Sequence, residues 1–206
     1  MGDDSMSEAP RSSTFGAGQS RRRVLRLALS VGLCLPGARL AIAQDGDARK
    51  ARPQPNDRFV FARGLRKGEA ITLADLPAGG PPLIAFPIDP LSKTIRDGSR
   101  LNEVLLVRLE STDFSAETRA RAADGTVVAY SAVCTHTGCD EWDWQRASGT
   151  IKCPYHFSEF DLKDSARVMN GPAPRRLPAL PLTTVDGVPV VAAGFVGRPG
   201  FEAGGG

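Results

Sequence analysis

The chain has 206 residues, of which 41% are hydrophobic, so it is long enough for one domain with a real core and a tail. Its 22 Gly and 16 Pro favour many turns and short strands over a helix bundle. The net charge of +3 belongs to the N-terminus, since residues 1–43 hold six Arg against three acidic residues and the rest holds 20 of each sign. Because the rest of the chain is electrically balanced, its charge gives no support for nucleic-acid binding through a basic surface.

The N-terminal segment 1–43 predicts an export signal. Residues 20–26 read SRRRVLR and resemble the bacterial twin-arginine signal, whose route carries folded proteins. The uncharged stretch 27–38 is shorter than the ~20 residues that span a bilayer, and Ala41 and Ala43 are small residues where a signal peptidase reads. We therefore expect a periplasmic protein; the alternative is an uncleaved segment that anchors the chain in a membrane.

The next segment, 44–57, is polar and contains Pro, and it predicts a linker. Beyond it, apolar runs bounded by turn residues predict a series of short strands. These strands are expected at 59–62, 83–86, 104–109, 127–133, 150–152 and 188–193.

One helix is predicted over 115–123, with Ser115 as its N-cap. The pairs Asp124-Gly125 and Asp186-Gly187 predict tight hairpin turns. Together these elements predict a small all-β domain over 58–200, followed by a flexible tail at 201–206.

Cysteine and histidine are concentrated in two short motifs. Cys134-x-His136 and Cys153-x-x-His156 are separated by 16 residues and contain both histidines of the protein. Two rare residue types paired twice indicate a metal site. Iron–sulfur clusters and Cys2His2 zinc sites both use these ligands, but zinc modules usually leave two or more residues between paired ligands, and only one separates Cys134 from His136.

The residues around both pairs resemble the two cluster-binding loops of the Rieske family. Residues 134–139 read CTHTGC and residues 153–158 read CPYHFS, which is similar to the family pattern C-x-H-x-G-C followed by C-P-x-H-x-S. Residues 171–174 read GPAP and resemble the family's proline loop. Gly138, Pro154 and this loop have no purpose in a zinc finger, so zinc is the minor alternative.

This resemblance implies a small antiparallel β-sandwich or barrel whose cluster-binding part spans about 130–175, and one Rieske-type [2Fe–2S] cluster. It implies that Cys134 and Cys153 ligate one iron while His136 and His156 ligate the other. Because neutral imidazoles leave the oxidised site uncharged, adding an electron costs less than in a four-Cys cluster. The loop that covers the cluster would consist of Gly171, Pro172, Ala173 and Pro174.

Two features of the family are missing from this sequence. The disulfide that ties the loops in many members would join Cys139 to a cysteine at the position of Tyr155, so Cys139 is expected to be unpaired. Ser158 matches the serine that donates to a bridging sulfide, whereas Phe160 replaces the tyrosine donor two positions later. Fewer donors predict a lower midpoint potential than in tyrosine-bearing members.

The run 156–161, HFSEFD, is most similar to the small Rieske subunit of arsenite oxidase. That resemblance implies an electron-transfer subunit that accepts electrons from a larger, molybdopterin-dependent subunit and passes them to a c-type cytochrome or a cupredoxin. Trp142 and Trp144 would share one face of a strand. Core packing and partner docking are both open roles for these two side chains.

Two other functions also depend on the residues described above. A membrane-anchored Rieske subunit of a quinol–cytochrome c oxidoreductase fits the motifs, but the missing disulfide, the missing tyrosine and the short apolar segment count against it. A self-contained Rieske oxygenase needs two further His for a mononuclear iron, and the sequence has no others. With no nucleophile or acid–base pair in view, we expect an electron carrier that does not act on a substrate by itself.

Overall fold

A computed structural model describes residues 47–202 of the chain. The export signal predicted at 1–43 lies outside the described residues, as do the first part of the predicted linker and the last four residues of the tail. No helix within 47–202 combines the length and the apolar character that crossing a membrane requires.

Within residues 47–202, ten strands form three antiparallel sheets. The first sheet has the order β1-β2-β3-β4, with β1 at Arg58–Phe61, β2 at Leu83–Ile88, β3 at Val104–Arg108 and β4 at Val127–Ser131. The second has the order β5-β6-β7-β8, with β5 at Asp143–Gln145, β6 at Thr150–Lys152, β7 at Glu159–Asp161 and β8 at Arg167–Asn170. The third is a hairpin of β9, Leu182–Val185, and β10, Val188–Val191.

The helices are short. Three 3-10 turns span Leu73–Asp75, Arg100–Asn102 and Ser111–Asp113, one α-helix spans Ala116–Arg119, and residues 47–50 are also helical.

The α-helix begins where its cap was predicted, because Ser115 Oγ accepts a hydrogen bond from the Thr118 N–H at 3.2 Å. It ends at Arg119 and does not reach residue 123. The reason is that Ala123 pairs with Val127 across the Asp124-Gly125 turn, which takes it out of the helix.

Strands β3 and β4 lie between two cores, and both cysteines of the site belong to one of these cores. Successive side chains along a strand point to opposite faces, and both faces are buried here. Leu105 of β3 packs in one core with Cys134 and Cys153, while Leu106 packs in the other core with Phe59. The first core therefore joins the first sheet to the segments that carry both cysteines.

The antiparallel all-β fold predicted from the sequence is confirmed, but three strands were missed. The runs predicted at 59–62, 83–86, 104–109, 127–133, 150–152 and 188–193 coincide with observed strands to within two residues at each end. Strands β7, β8 and β9 lie in stretches that the sequence analysis did not assign, whereas β5 overlaps the strand expected around Trp142 and Trp144 and begins one residue after Trp142. The Asp186-Gly187 turn joins β9 to β10, and both residues have positive φ, 52° and 72°, as a tight hairpin turn requires.

The described part of the predicted linker is bonded to the domain. The Asp57 carboxylate, which is buried, accepts hydrogen bonds from Arg96 Nε at 2.5 Å and Nη2 at 2.9 Å. The Asn56 N–H donates to the Val191 carbonyl at 2.9 Å, and Asn102 Nδ2 donates to the Ala51 carbonyl at 2.8 Å. Residues 51–57 are thus fixed on both the connection between β2 and β3 and the hairpin.

Candidate metal centre

The first loop of the site, residues 134–139, follows β4 and closes on itself. The Cys134 N–H donates to the Cys139 carbonyl at 2.7 Å, and the Gly138 N–H donates back to the Cys134 carbonyl at 3.0 Å. Gly138 has a φ of 82°, a conformation that costs glycine nothing. The closed turn leaves the side chains of the residues between its ends free to point out of the loop.

The second loop, residues 153–158, lies between β6 and β7 and repeats this closure. The Cys153 N–H donates to the Ser158 carbonyl at 2.8 Å, and the Phe157 N–H donates to the Cys153 carbonyl at 2.9 Å. Phe157 occupies the position that Gly138 holds in the first loop, with a φ of 61°. The two loops therefore share one backbone design, although the second carries a strained aromatic residue where the first has glycine.

The structure brings together the four side chains that the sequence singled out. Cys134 and Cys153 are buried in the first core and both are free thiols. The rings of His136 and His156 lie edge to face, with centroids 4.7 Å apart. His136 is half-buried and His156 is exposed, so the site has a buried sulfur side and an imidazole side that reaches the surface.

The electrostatics of the site suit a bound cation. Burial raises the pKa of the Cys134 thiol, and the nearby Cys153 sulfur adds to the rise, although the backbone N–H of His136 opposes it. Two adjacent buried thiolates are therefore unfavourable unless a positive centre compensates them. His136 Nδ1 is buried without a hydrogen-bond partner among the described residues, and an orphaned buried nitrogen is what a metal-binding imidazole leaves in a structure without its metal.

These residues fit a two-iron cluster. No three His, Cys, Asp or Glu side chains in the part of the chain that the structure describes surround a position for one metal ion. Rieske ligation asks for only two side chains on each iron, Cys on one and His on the other. Two buried sulfurs beside two contacting imidazoles, of which His156 is exposed, meet that requirement.

The loop at 171–174 packs directly on the second loop. Ser158 Oγ accepts a hydrogen bond from the Ala173 N–H at 3.1 Å. Gly171 has a φ of 88°, and a Cβ there would lie 2.5 Å from Ser158 Cα. Only glycine allows this approach, so the predicted covering loop does lie against the metal-site loops, with Ala173 buried and Pro172 exposed.

Thr135 was missed by the sequence analysis. Its Oγ1 donates to the Arg175 carbonyl at 2.6 Å and so fixes the first loop to the end of the covering loop. The signal in the sequence was a hydroxyl residue between Cys134 and His136, and the structure buries it. Its partner Arg175 lies 40 residues away, so no local sequence pattern identifies that partner.

Comparison with known proteins identifies the domain that contains the site. Residues 100–181 match the Rieske [2Fe-2S] domain family, and this segment contains all four Cys and His side chains of the site. The chain carries a Rieske [2Fe–2S] domain. A Rieske domain is an electron-transfer domain that holds one [2Fe–2S] cluster.

Relatives of the Rieske domain come from several electron-transfer systems. A protein described as a respiratory nitrate reductase Rieske subunit from Haloferax mediterranei is 37% identical over 107 residues, which cover 50% of this chain and 46% of the relative. A cytochrome bc1 complex Rieske iron-sulfur subunit from Corynebacterium diphtheriae is 36% identical over 97 residues, covering 45% of this chain and 24% of the relative. The chain thus spans less than half the length of either relative.

Among solved structures, the soluble domain of Rieske protein II from Sulfolobus acidocaldarius is similar to this chain. The two share 24% sequence identity with a TM-score of 0.38, and the match covers 50% of this chain and 66% of the other.

Phe160 lies in the core of the Rieske domain. It is fully buried, and its ring packs edge to face against Trp142 with centroids 5.6 Å apart. Trp142 Nε1 donates to the Ala132 carbonyl at 2.9 Å. Trp142 therefore packs in the core, and it also fixes the segment that follows the first loop.

Two arginines hold the first loop of the Rieske domain from outside it. Arg100 donates to the Gly138 carbonyl, and its Nη2 lies 3.4 Å from Asp140 Oδ2. Arg63 Nη2 lies 3.0 Å from the same Asp140 oxygen and 3.1 Å from Glu103 Oε2. None of these residues was singled out from the sequence, because each contact joins segments far apart in the chain.

The positions that a family disulfide would occupy carry different contacts here. Cys139 is a free, half-buried thiol. Tyr155 is 55% exposed, and its Oη donates to Glu141 Oε2 at 3.1 Å. This hydrogen bond and the charge of Glu141 raise the pKa of the Tyr155 phenol.

Proposed function

We propose that Cys134 and Cys153 hold one iron of the cluster and that His136 and His156 hold the other. The observation that supports this assignment is the buried pair of free thiols beside two contacting imidazoles, one of which has an orphaned nitrogen. When bound, the cluster supplies one-electron chemistry at a potential in the Rieske range of roughly −150 to +300 mV.

The chain's own residues shape that chemistry. Burial of Cys134 and Cys153 excludes water from the sulfur side, while the exposed ring of His156 gives a partner a short path to the site. Because Ser158 Oγ already accepts from the Ala173 N–H, its own O–H is directed to donate elsewhere. We assign that donor to a cluster sulfide, where it stabilises the reduced state.

The test is metal analysis of the full chain purified without oxygen. We expect about two iron atoms per chain and the Rieske electron-paramagnetic signal after reduction. His136→Ala and His156→Ala should each abolish that signal. Cys139→Ser is the matched control, since it removes a cysteine of the same loop that is no ligand, and it should keep the signal. Iron-free wild-type protein, or zinc in its place, contradicts the assignment.

We further propose that the protein is the electron-transfer subunit of a periplasmic oxidoreductase, exported in folded form and similar in role to the small subunit of arsenite oxidase. The twin-arginine-like run at 20–26 supports export, and residues 156–161 support the subgroup. The 37% identity with a nitrate reductase Rieske subunit supports work beside a larger redox subunit. The partners we expect are a large, molybdopterin-dependent subunit and a soluble acceptor such as a c-type cytochrome or a cupredoxin.

A second candidate is a Rieske subunit of a quinol–cytochrome c oxidoreductase, which the 36% identity with a cytochrome bc1 subunit favours. Affinity purification of the tagged full chain from its own host separates the two functions. A large molybdenum-containing protein in the periplasmic fraction supports the first, whereas recovery with b- and c-type cytochromes in the membrane fraction supports the second.

A further inference from the structure

The two loops of the site are held together without a covalent bond. The cysteines within the described residues, Cys134, Cys139 and Cys153, are all free. Apart from the proposed ligands, the side-chain hydrogen bond that joins residues 134–142 to residues 153–158 runs from Tyr155 Oη to Glu141 Oε2, at 3.1 Å. It lies next to the imidazole side of the site, since Tyr155 immediately precedes His156.

The acceptor of this hydrogen bond is positioned in advance. On one side of Glu141, Asp140 is ion-paired with Arg63 at 3.0 Å. On the other side, Trp142 donates to the Ala132 carbonyl and packs against Phe160. Glu141 therefore lies on a segment whose neighbours are both fixed, which reduces the conformational entropy lost when its carboxylate accepts.

The donor is positioned in a similar way. Tyr155 directly follows Pro154, and the proline ring fixes the φ of Pro154. Tyr155 also lies within a loop that is closed by the hydrogen bonds of the Cys153 and Phe157 N–H groups. The phenol reaches out of that loop to Glu141, in the segment that directly follows the first loop. A hydrogen bond to a charged acceptor is stronger than one between neutral groups. The backbone therefore positions both the donor, Tyr155, and the acceptor, Glu141, before the hydrogen bond forms.

We propose that Tyr155 and Glu141 form a latch between the two cluster loops and that this latch slows the loss of iron. The proposal rests on the ligand set proposed above, because it needs the cluster to lie between these loops. Tyr155 and Glu141 are positioning residues: separation of the loops is the motion that would release the iron, and the hydrogen bond opposes it. In many members of the Rieske family, a disulfide joins the positions of Cys139 and Tyr155. The latch also uses Tyr155, but it forms and breaks without redox chemistry.

The experiment measures the rate at which an iron chelator removes iron from the loaded full chain, followed by the loss of visible absorbance. Tyr155→Phe keeps the ring and removes the donor, while Glu141→Ala removes the acceptor. Each should release iron about twofold to tenfold faster than wild type. Glu141→Gln keeps a carbonyl acceptor at the same place but loses the charge, so its rate should fall between those of wild type and Glu141→Ala. Asp143→Ala, which removes a nearby exposed acid that does not contact Tyr155, is the matched control.

A latch also predicts coupling between its two halves. The double variant Tyr155→Phe with Glu141→Ala should release iron no faster than either single variant, because both remove the same bond. The electron-paramagnetic signal and the thermal midpoint of the loaded protein should stay at wild-type values, which separates a latch from general destabilisation. Multiplied rates in the double variant, or wild-type rates in both single variants, overturn the latch.

The same experiment keeps the two proposals apart. Wild-type protein that holds no iron overturns the ligand assignment and the latch with it. Wild-type protein that is loaded and shows the Rieske signal, together with single variants that release iron at its rate, overturns the latch alone. If Tyr155→Phe fails to accumulate, Glu141→Ala and Glu141→Gln decide the matter from the acceptor side.

Discussion

At the scale of single residues, Phe157 carries backbone strain at the edge of the site. Its φ of 61° is unfavourable for any residue with a Cβ, by about 1–2 kcal/mol. Its ring is 58% exposed, and Lys152 Nζ lies 5.1 Å from the ring centroid. The backbone conformation of Phe157 therefore costs stability at a position directly next to His156.

Two substitutions at Phe157 separate the ring from the backbone. Phe157→Ala removes the ring and keeps the Cβ, whereas Phe157→Gly removes both. We expect the glycine variant to be more stable than the alanine variant by about 1 kcal/mol, because only glycine relaxes the positive φ. Thermal unfolding of the loaded proteins measures this difference. An alanine variant as stable as the glycine variant would show that the left-handed backbone costs nothing here.

Phe160 is the residue at which the potential of the site can be raised. It is fully buried, so a hydroxyl added by Phe160→Tyr must find a partner inside the domain. If that partner is a cluster sulfur, the reduced state gains about 1 kcal/mol, and the midpoint potential should rise by about 40 mV. Redox titration followed by the electron-paramagnetic signal checks this. An unchanged potential with a lower melting temperature would mean that the hydroxyl is buried without a partner.

At the scale of elements, the covering loop depends on how closely Gly171 approaches Ser158. Gly171→Ala combines an unfavourable positive φ with a Cβ 2.5 Å from Ser158 Cα. Gly187→Ala is the matched control, since its φ of 72° is strained in the same way but nothing lies within 4 Å of the new Cβ. The control should cost about 1 kcal/mol, and Gly171→Ala should cost more and release iron faster. Equal losses of stability in the two variants would contradict the close packing of the covering loop.

The sequence predicted elements where a local pattern carries the signal. The continuous apolar run of β3 and the Asp186-Gly187 turn each have such a pattern, and both are observed. Strand β7 has only three residues, with the sequence EFD, so neither alternation nor propensity marks it. It pairs with β6 on one side and β8 on the other in the second sheet, so tertiary pairing determines it.

In the site, too, local sequence patterns predicted some features and missed others. Cys134, His136, Cys153 and His156 were found from short-range spacing, and the structure brings them together. The contacts that fix the loops, from Thr135, Arg100 and Glu141, join segments 14 to 40 residues apart. No single sequence encodes such pairings in a local pattern, because they are set by tertiary packing.

At the scale of the whole described domain, the first loop is connected to the first sheet through charges. Asp140 of the loop region and Glu103, which precedes β3, share the Arg63 guanidinium. The Glu103 backbone also takes part, since its carbonyl accepts from the Ala132 N–H at 2.9 Å, just before the loop. Glu103 is 8% exposed, and its carboxylate shares Arg63 with Asp140, which directly follows the first loop.

This connection predicts a pH dependence of stability. Burial raises the pKa of Glu103, Arg63 opposes the rise and Asp140 adds to it. A carboxyl whose pKa is higher in the folded state contributes most to stability below its unfolded pKa, and that contribution is lost as the pH rises through the folded pKa. Glu103→Gln cannot ionise and still offers Arg63 a carbonyl, so it should gain stability relative to wild type as the pH rises from about 4.5 to 8.

The measurement is the difference in melting temperature between Glu103→Gln and wild type, both loaded with the cluster, across that pH range. Taking the difference cancels the other titrating groups that the two proteins share. Glu110→Gln is the matched control, because it makes the same substitution at an exposed position. A Glu103→Gln difference that is flat, or that falls with rising pH, would mean that the ion pair with Arg63 outweighs burial. In that case the charge of Glu103 would stabilise the connection between the first sheet and the cluster loop.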